Sequence, residues 1–260
     1  MRRGNLFWGL ALILLGGLFF LQARGIIENV FSFIFPLALV LLGGWIILGV
    51  FAKPDLSDDE TFSFALQSAK SVRYKFTNGA GQVRISGGAP TGQAIVGSSA
   101  VGMNTQSRMD GDRLTVEVDA GPSVIPFIGP SSGIWRYRLT QEVPVTLEVD
   151  VGASALEIDL ENVLATRIEI STGASGVNLT VPSRGVSVLD VEAGAASVNI
   201  RVPSGVAARI RFDGGLTSMN VDVNRFPKND SDFYQSPDYD LAQNRAEINI
   251  DGGLGAVTVK

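Results

Sequence analysis

The side chains best suited to chemistry in this sequence are carboxylates: Asp150, Glu157, Asp159, Glu169, Asp190, Glu192, Asp213, Asp222 and Asp251. Paired carboxylates can act on glycosidic bonds as acid and base or nucleophile. Histidine and cysteine are both absent, which removes the commonest general base, the thiolate nucleophile and most zinc sites. Most of these carboxylates alternate with apolar residues, which places them on the solvated face of strands. The glycine-rich segments DGGLTS (213–218) and DGGLGA (251–256) invite comparison with calcium-binding nonapeptide repeats, but neither supplies the following Asp that the pattern needs. The expectation is a protein that is not an enzyme and has no cofactor or metal.

What carries these carboxylates is a repeat. Gly152, Gly173, Gly194 and Gly215 stand 21 residues apart, each with apolar residues five and three positions before it and four, six and eight after it. Period-2 spacing puts one face of each strand in a core, so each unit is two half-buried strands around a glycine. Two further copies surround Gly79 and Gly253. All six glycines are expected to serve as turns through their ease at positive φ. The predicted fold class is all-β, a repetitive solenoid-like stack over 72–260, whose units share a core only when stacked. Val181-Pro182-Ser183-Arg184-Gly185 and Val202-Pro203-Ser204-Gly205 mark the outer turns. Asn178, Asn199 and Asn220 each lie five residues after a repeat glycine, so an Asn ladder along the stack is predicted.

The N-terminus is of a different composition. Residues 6–21 and 30–51 hold no charged side chain, and about 20 apolar residues cross a bilayer. The segment 1–52 therefore reads as a transmembrane hairpin with helices at about 5–22 and 30–51, followed by a linker over 53–71. A cleavable signal peptide is the other reading of the first helix. LALILLGGL at 10–18 recurs as LALVLLGGW at 37–45, and Gly16, Gly17, Gly43 and Gly44 are candidates for close helix packing. Arg2, Arg3 and Lys53 flank the hairpin while its loop holds only Arg24, so the positive-inside rule places both termini in the cytoplasm of a multi-pass protein.

A formal charge of −5 argues against nucleic acid. Residues 86–146 are the least regular part of the repeat region. A strand pair of Ala94–Val101 with Leu114–Val118 is expected there, with a turn at 109–112. The apolar segment GPSVIPFIGPSSGIW (121–135) is either a cap or a partner or membrane contact through Phe127, Ile128, Ile134 and Trp135. Residues 226–244 read as a surface excursion.

The residues Asn5-Leu6-Phe7-Trp8-Gly9, LILLGG and Phe35-Pro36-Leu37 with LVLLGGW resemble the LiaI/LiaF-type transmembrane hairpin. The stretch PVTLEVDVGASALEIDLENVLATRIEISTGASGVNLTVP from Pro144 is similar to the toast-rack β-repeat domains of LiaF-type proteins and related adhesin-like proteins. The resemblance implies a non-catalytic membrane regulator acting on a sensor kinase in envelope stress signalling. Its partners would be the lipid bilayer, a membrane protein and a second copy in a homo-oligomer. The alternative is an envelope adhesin or self-assembling structural protein that uses the stack's ends for strand addition.

Overall fold

A computed structural model describes residues 60–99, 103–120, 134–229 and 233–260, together with 22, 24 and 25. The predicted hairpin, with Gly16, Gly17, Gly43 and Gly44, lies outside the described residues, as do Phe127 and Ile128. Among the described residues no helix is long and apolar enough to cross a membrane. Asp55–Lys260 forms one compact unit, and it is all β.

The strands run β1 (Glu60–Ala65), β2 (Ser71–Gly87), β3 (Gln93–Ser99), β4 (Asn104–Asp110), β5 (Arg113–Ala120), β6 (Ile134–Leu139) and β7 (Val145–Asp159). There follow β8 (Ala165–Thr172), β9 (Gly176–Thr180), β10 (Val186–Arg201), β11 (Ala207–Val221), β12 (Phe233–Gln235) and β13 (Arg245–Val259). Chain length dictates their shape. Straight, β7 would be roughly 50 Å long, yet Ala165, six residues beyond its end at Asp159, pairs beside its start at Val145. Six residues reach only about 20 Å, so β7 must fold back on itself near its middle, at Gly152. The burial pattern shows the same fold as a slip of phase: Leu147, Val149 and Val151 are buried before the glycine, and Ser154, Leu156 and Ile158 after it. The alternation shifts by one residue at the corner, which lets both halves turn their apolar face to a shared interior.

Stacked rungs of this kind build a parallel two-sided solenoid. In spatial order they are β5 with β6, β2, β7, β8 with β9, β10, β13 and β11, paired in parallel throughout. Val116, Tyr74, Leu147, Ile168, Leu189, Ile248 and Ile210 form one row across these rungs, each fully buried. Burying such a side chain contributes roughly 1.5–3 kcal/mol, so the stack holds through its interior rows. The outer turns bear out the Pro–Gly reading, with Gly185 at φ 84° and Gly205 at φ 85°.

Several expectations are corrected. Gly79, Gly152, Gly173, Gly194, Gly215 and Gly253 are absent from the positive-φ positions; at the corners Gly152, Gly173, Gly194 and Gly253 it is space that requires glycine. A Cβ on Gly152 would lie 2.6 Å from the carbonyl oxygen of Gly79, and one on Gly173 or Gly194 2.9 Å from that of the preceding corner. At Gly215 the nearest atom, the Gly253 oxygen, would stand 3.5 Å from an added Cβ, an ordinary contact, so space does not exclude a side chain there. Part of the expected linker is strand β1, whose Phe62 and Phe64 pack on the core. The expected strand pair does not form: β3, which covers residues 94–99 of the first, pairs with β1 and β6, and Leu114–Val118 with β2 and β4. The 109–112 turn does form, around Gly111 at φ 58°.

The last repeat does not end the stack. β13 lies between β10 and β11. Where they meet, Gly255, at φ 142°, lies close against β10: a Cβ there would sit 1.9 Å from the Ala196 oxygen. The register-equivalent residue of β11 is Thr217. The connection over 226–244 is accordingly no simple surface excursion. It adds β12 to the first half of β11 and buries Phe226 and Tyr239.

Candidate interaction surface

Outward-facing residues form rows along the stack, about 4.8 Å from strand to strand. Over the first halves of the rungs lies an open cleft of about 950 Å³ whose lining includes Lys75, Glu148, Asp150, Arg167, Glu169, Asp190, Glu192, Arg211, Asp213 and Asp251. Most of the carboxylates singled out in the sequence meet here, while Glu157, Asp159 and Asp222 do not. Arg167 joins Glu169 and, at 2.8 Å, Asp190, and Asn249 donates to Asp190 at 2.8 Å. Glu169 and Asp190 hold the Arg167 guanidinium above its ordinary pKa. Arg73 pairs with Glu148, and Arg211 with Glu247. Exposed pairs of this kind are worth at most about 1 kcal/mol. Among the described residues no three His, Cys, Asp or Glu side chains stand where they could hold a metal. The cleft is a charged, open sheet face.

On the other face, over the second halves, one row of short uncharged residues runs from β7 to β11: Ala155, Gly176, Ser197, Ala256 and Ser218. Here the Asn ladder is half present. Asn199 donates its amide to Asn178 at 3.1 Å. Asn220 is not its neighbour, because the inserted β13 places Thr258 between them. Asn199→Leu is expected to cost about 0.5–1 kcal/mol, seen in chemical denaturation, with Asn178 resonances shifted and those of Asn220 unchanged. A variant as stable as the parent would show the pair to be idle.

The apolar segment divides. Trp135 lies on β6, 3% exposed, paired in register with Val83; it is a core residue, not a contact surface. Ile134 is half-buried beside it. Sequence reasoning missed the aromatic cap at the far end. There Arg209 lies 4.3 Å from the Tyr239 ring centroid and binds Gln235 and Asp240, and Arg211 faces Phe233. The alternation of Arg209 and Arg211 with Ile210 was the available signal for it.

A profile described as the N-terminal domain of toast_rack, DUF2154, matches residues 53–203, more than half of the chain. The chain belongs to the toast-rack family. The match runs from just before β1 through β10, so the two exchanged rungs β13 and β11 lie beyond it. A solved structure of a candidate cell adhesion protein from Clostridium sporogenes is similar to this toast-rack protein over 78% of this chain and 98% of its own. The identity is 16% and the TM-score 0.71, a likeness of fold. A candidate adhesin from Bacteroides fragilis aligns over the same shares at 9% identity, with a TM-score of 0.30 that carries no argument. No curated protein matches the chain.

Proposed function

We propose that this toast-rack protein is a non-catalytic structural or adhesive module of the cell envelope, held at the membrane by its N-terminal segment and acting through protein contacts. The observation that carries the reading is the stack itself: a stiff parallel solenoid with broad, flat outer rows, alike in fold to a structure named for cell adhesion. Stacked rungs give an extended binding surface rather than an enclosed pocket. The sensor-kinase role implied by the LiaF resemblance gains nothing from the fold likeness and is the weaker reading.

Adhesion requires the domain outside the cell, whereas the flanking Arg and Lys argue for the cytoplasmic side. An epitope tag at Lys260, labelled in intact and in permeabilised cells, decides this. Labelling of intact cells supports adhesion. A tag reached only after permeabilisation removes adhesion and leaves a scaffold on the inner membrane face.

A further inference from the structure

The solenoid's edges are protected unequally. The first-half sheet ends on β4, whose strand carries Arg108 and Asp110, and on the three-residue β12. The second-half sheet ends at one side on β1, which follows the acidic run Asp58-Asp59-Glu60 in sequence and breaks register between Phe64 and Ala65. Charges, short length and bulges are the usual guards against strand addition. At its other side it ends on the second half of β11, Leu216–Val221, which has no partner beyond β13 among the described residues. That segment, LTSMNV, contains no charge and no proline. The interior rows also run out here: Met219 is half-buried, and Val223 is 58% exposed.

Backbone direction fixes what can add to this edge. The Asp222 amide donates to the Val259 oxygen of β13. Along a strand successive residues aim their N–H and C=O groups to opposite sides, so residues 218 and 220 also bond toward β13. Positions 217, 219 and 221 then offer both groups to the open edge. An antiparallel copy of the same strand centred on Met219 satisfies them all. It sets 219 against 219 and 217 against 221, for about six backbone hydrogen bonds, whereas centring on Ser218 gives about four. The Met219 register also keeps inward-facing residues opposite inward-facing ones and lays the partner strand over Met219 and Val221. No like charges meet within LTSMNV, so the segment is complementary to itself in charge as well as in hydrogen bonding.

We propose that a second copy of this chain docks here, β11 against β11, forming a two-fold symmetric dimer in which the second-half sheets of both solenoids become continuous. The proposal rests on the structural-module reading and names its partner. Edge pairing of this length is small, and co-anchoring in one membrane raises the effective concentration that it needs.

The sequence has no cysteine, so the register can be read by cross-linking the full-length chain in native membranes. In the proposed dimer Ser218 faces the other copy's Asn220 as a non-hydrogen-bonded pair, with Cα atoms about 4.5 Å apart, within disulfide reach. Ser218→Cys and Asn220→Cys, both at exposed positions, should each give little dimer alone. Co-expressed, they should give a strong oxidised band at twice 27.6 kDa. Adding Met219→Pro to both, which removes an amide aimed at the open edge, should return the band to background while thermal melting confirms a folded domain. Mixed cysteines that cross-link no better than either alone overturn the proposal. So does a Ser218→Cys chain that cross-links instead to Ser63→Cys on β1, which would indicate head-to-tail assembly. Neither outcome depends on the side of the membrane that the Lys260 tag reports.

Discussion

Gly152→Ala is expected to destabilise the domain by about 2–3 kcal/mol, lowering the melting temperature by roughly 5–10 °C for a chain of this size. The added methyl would meet the Gly79 carbonyl oxygen at 2.6 Å, and both partners are backbone atoms held in stacked rungs. Relief requires the rungs to separate, and separation weakens the parallel hydrogen bonds of β2 with β7 on both sides of the corner. The control lies three residues beyond the next corner. A methyl added at Gly176 would have no atom within 4 Å, and the residue has no positive φ, so Gly176→Ala should stay within about 0.5 kcal/mol of the parent. Equal losses in both variants, measured by thermal or urea unfolding, would mean that the corners select glycine for reasons other than rung spacing.

Phe226→Ala should cost more, about 3–5 kcal/mol. Phe226 is fully buried at the start of the connection that leads from β11 over the stack's end and back into it. Its amide bonds the Asp222 oxygen at 2.9 Å, and the neighbouring Arg225 binds the Val202 and Pro203 carbonyls at 2.8 and 3.1 Å. Removing the ring therefore leaves a cavity where the outer turn after β10 meets the cap, loosening β11 and β12 together. Hydrogen exchange should rise first in β11 and β12 and leave β7 and β8 protected, because rungs communicate chiefly through their neighbours. Uniform loss of protection would indicate a stack more cooperative than this.

The repeat was legible because each unit obeys the same physics: an apolar period of two, a corner that admits no side chain, and an outer turn with Pro or Gly. Where those signals are interrupted, sequence alone falters. Leu114, Val116 and Val118, followed by Trp135, Tyr137 and Leu139, are a further rung's interior positions. Residues 121–133 intervene at its corner, and the added length hides the period. Trp135 consequently read as a loop aromatic. Phe62 and Phe64 alternate over too few residues to stand out from the acidic stretch before them. Spatial order is a different matter, since a period records how many rungs exist and not how they are arranged. Nothing in the period marks β13 as the neighbour of β10 or β11 as the outer rung. The cleft's carboxylates were visible in sequence, but the pairing of Glu148 with Arg73 and of Glu169 and Asp190 with Arg167 depends on which rungs are neighbours and in what register.

The position of β13 also governs how the domain can be made. A ribosome releases the chain from its N-terminus, and rungs β2 to β10 can assemble in the order in which they emerge. β11 emerges next but cannot take its final place, since its neighbour β13 comprises residues 245–259 of 260. The growing stack must therefore keep the edge of β10 open until residues 245–259 have emerged, and only then close it from within. A nonsense or frameshift lesion near residue 244 would leave two unpaired edges in place of a shortened stack. Premature termination there should yield an aggregating product.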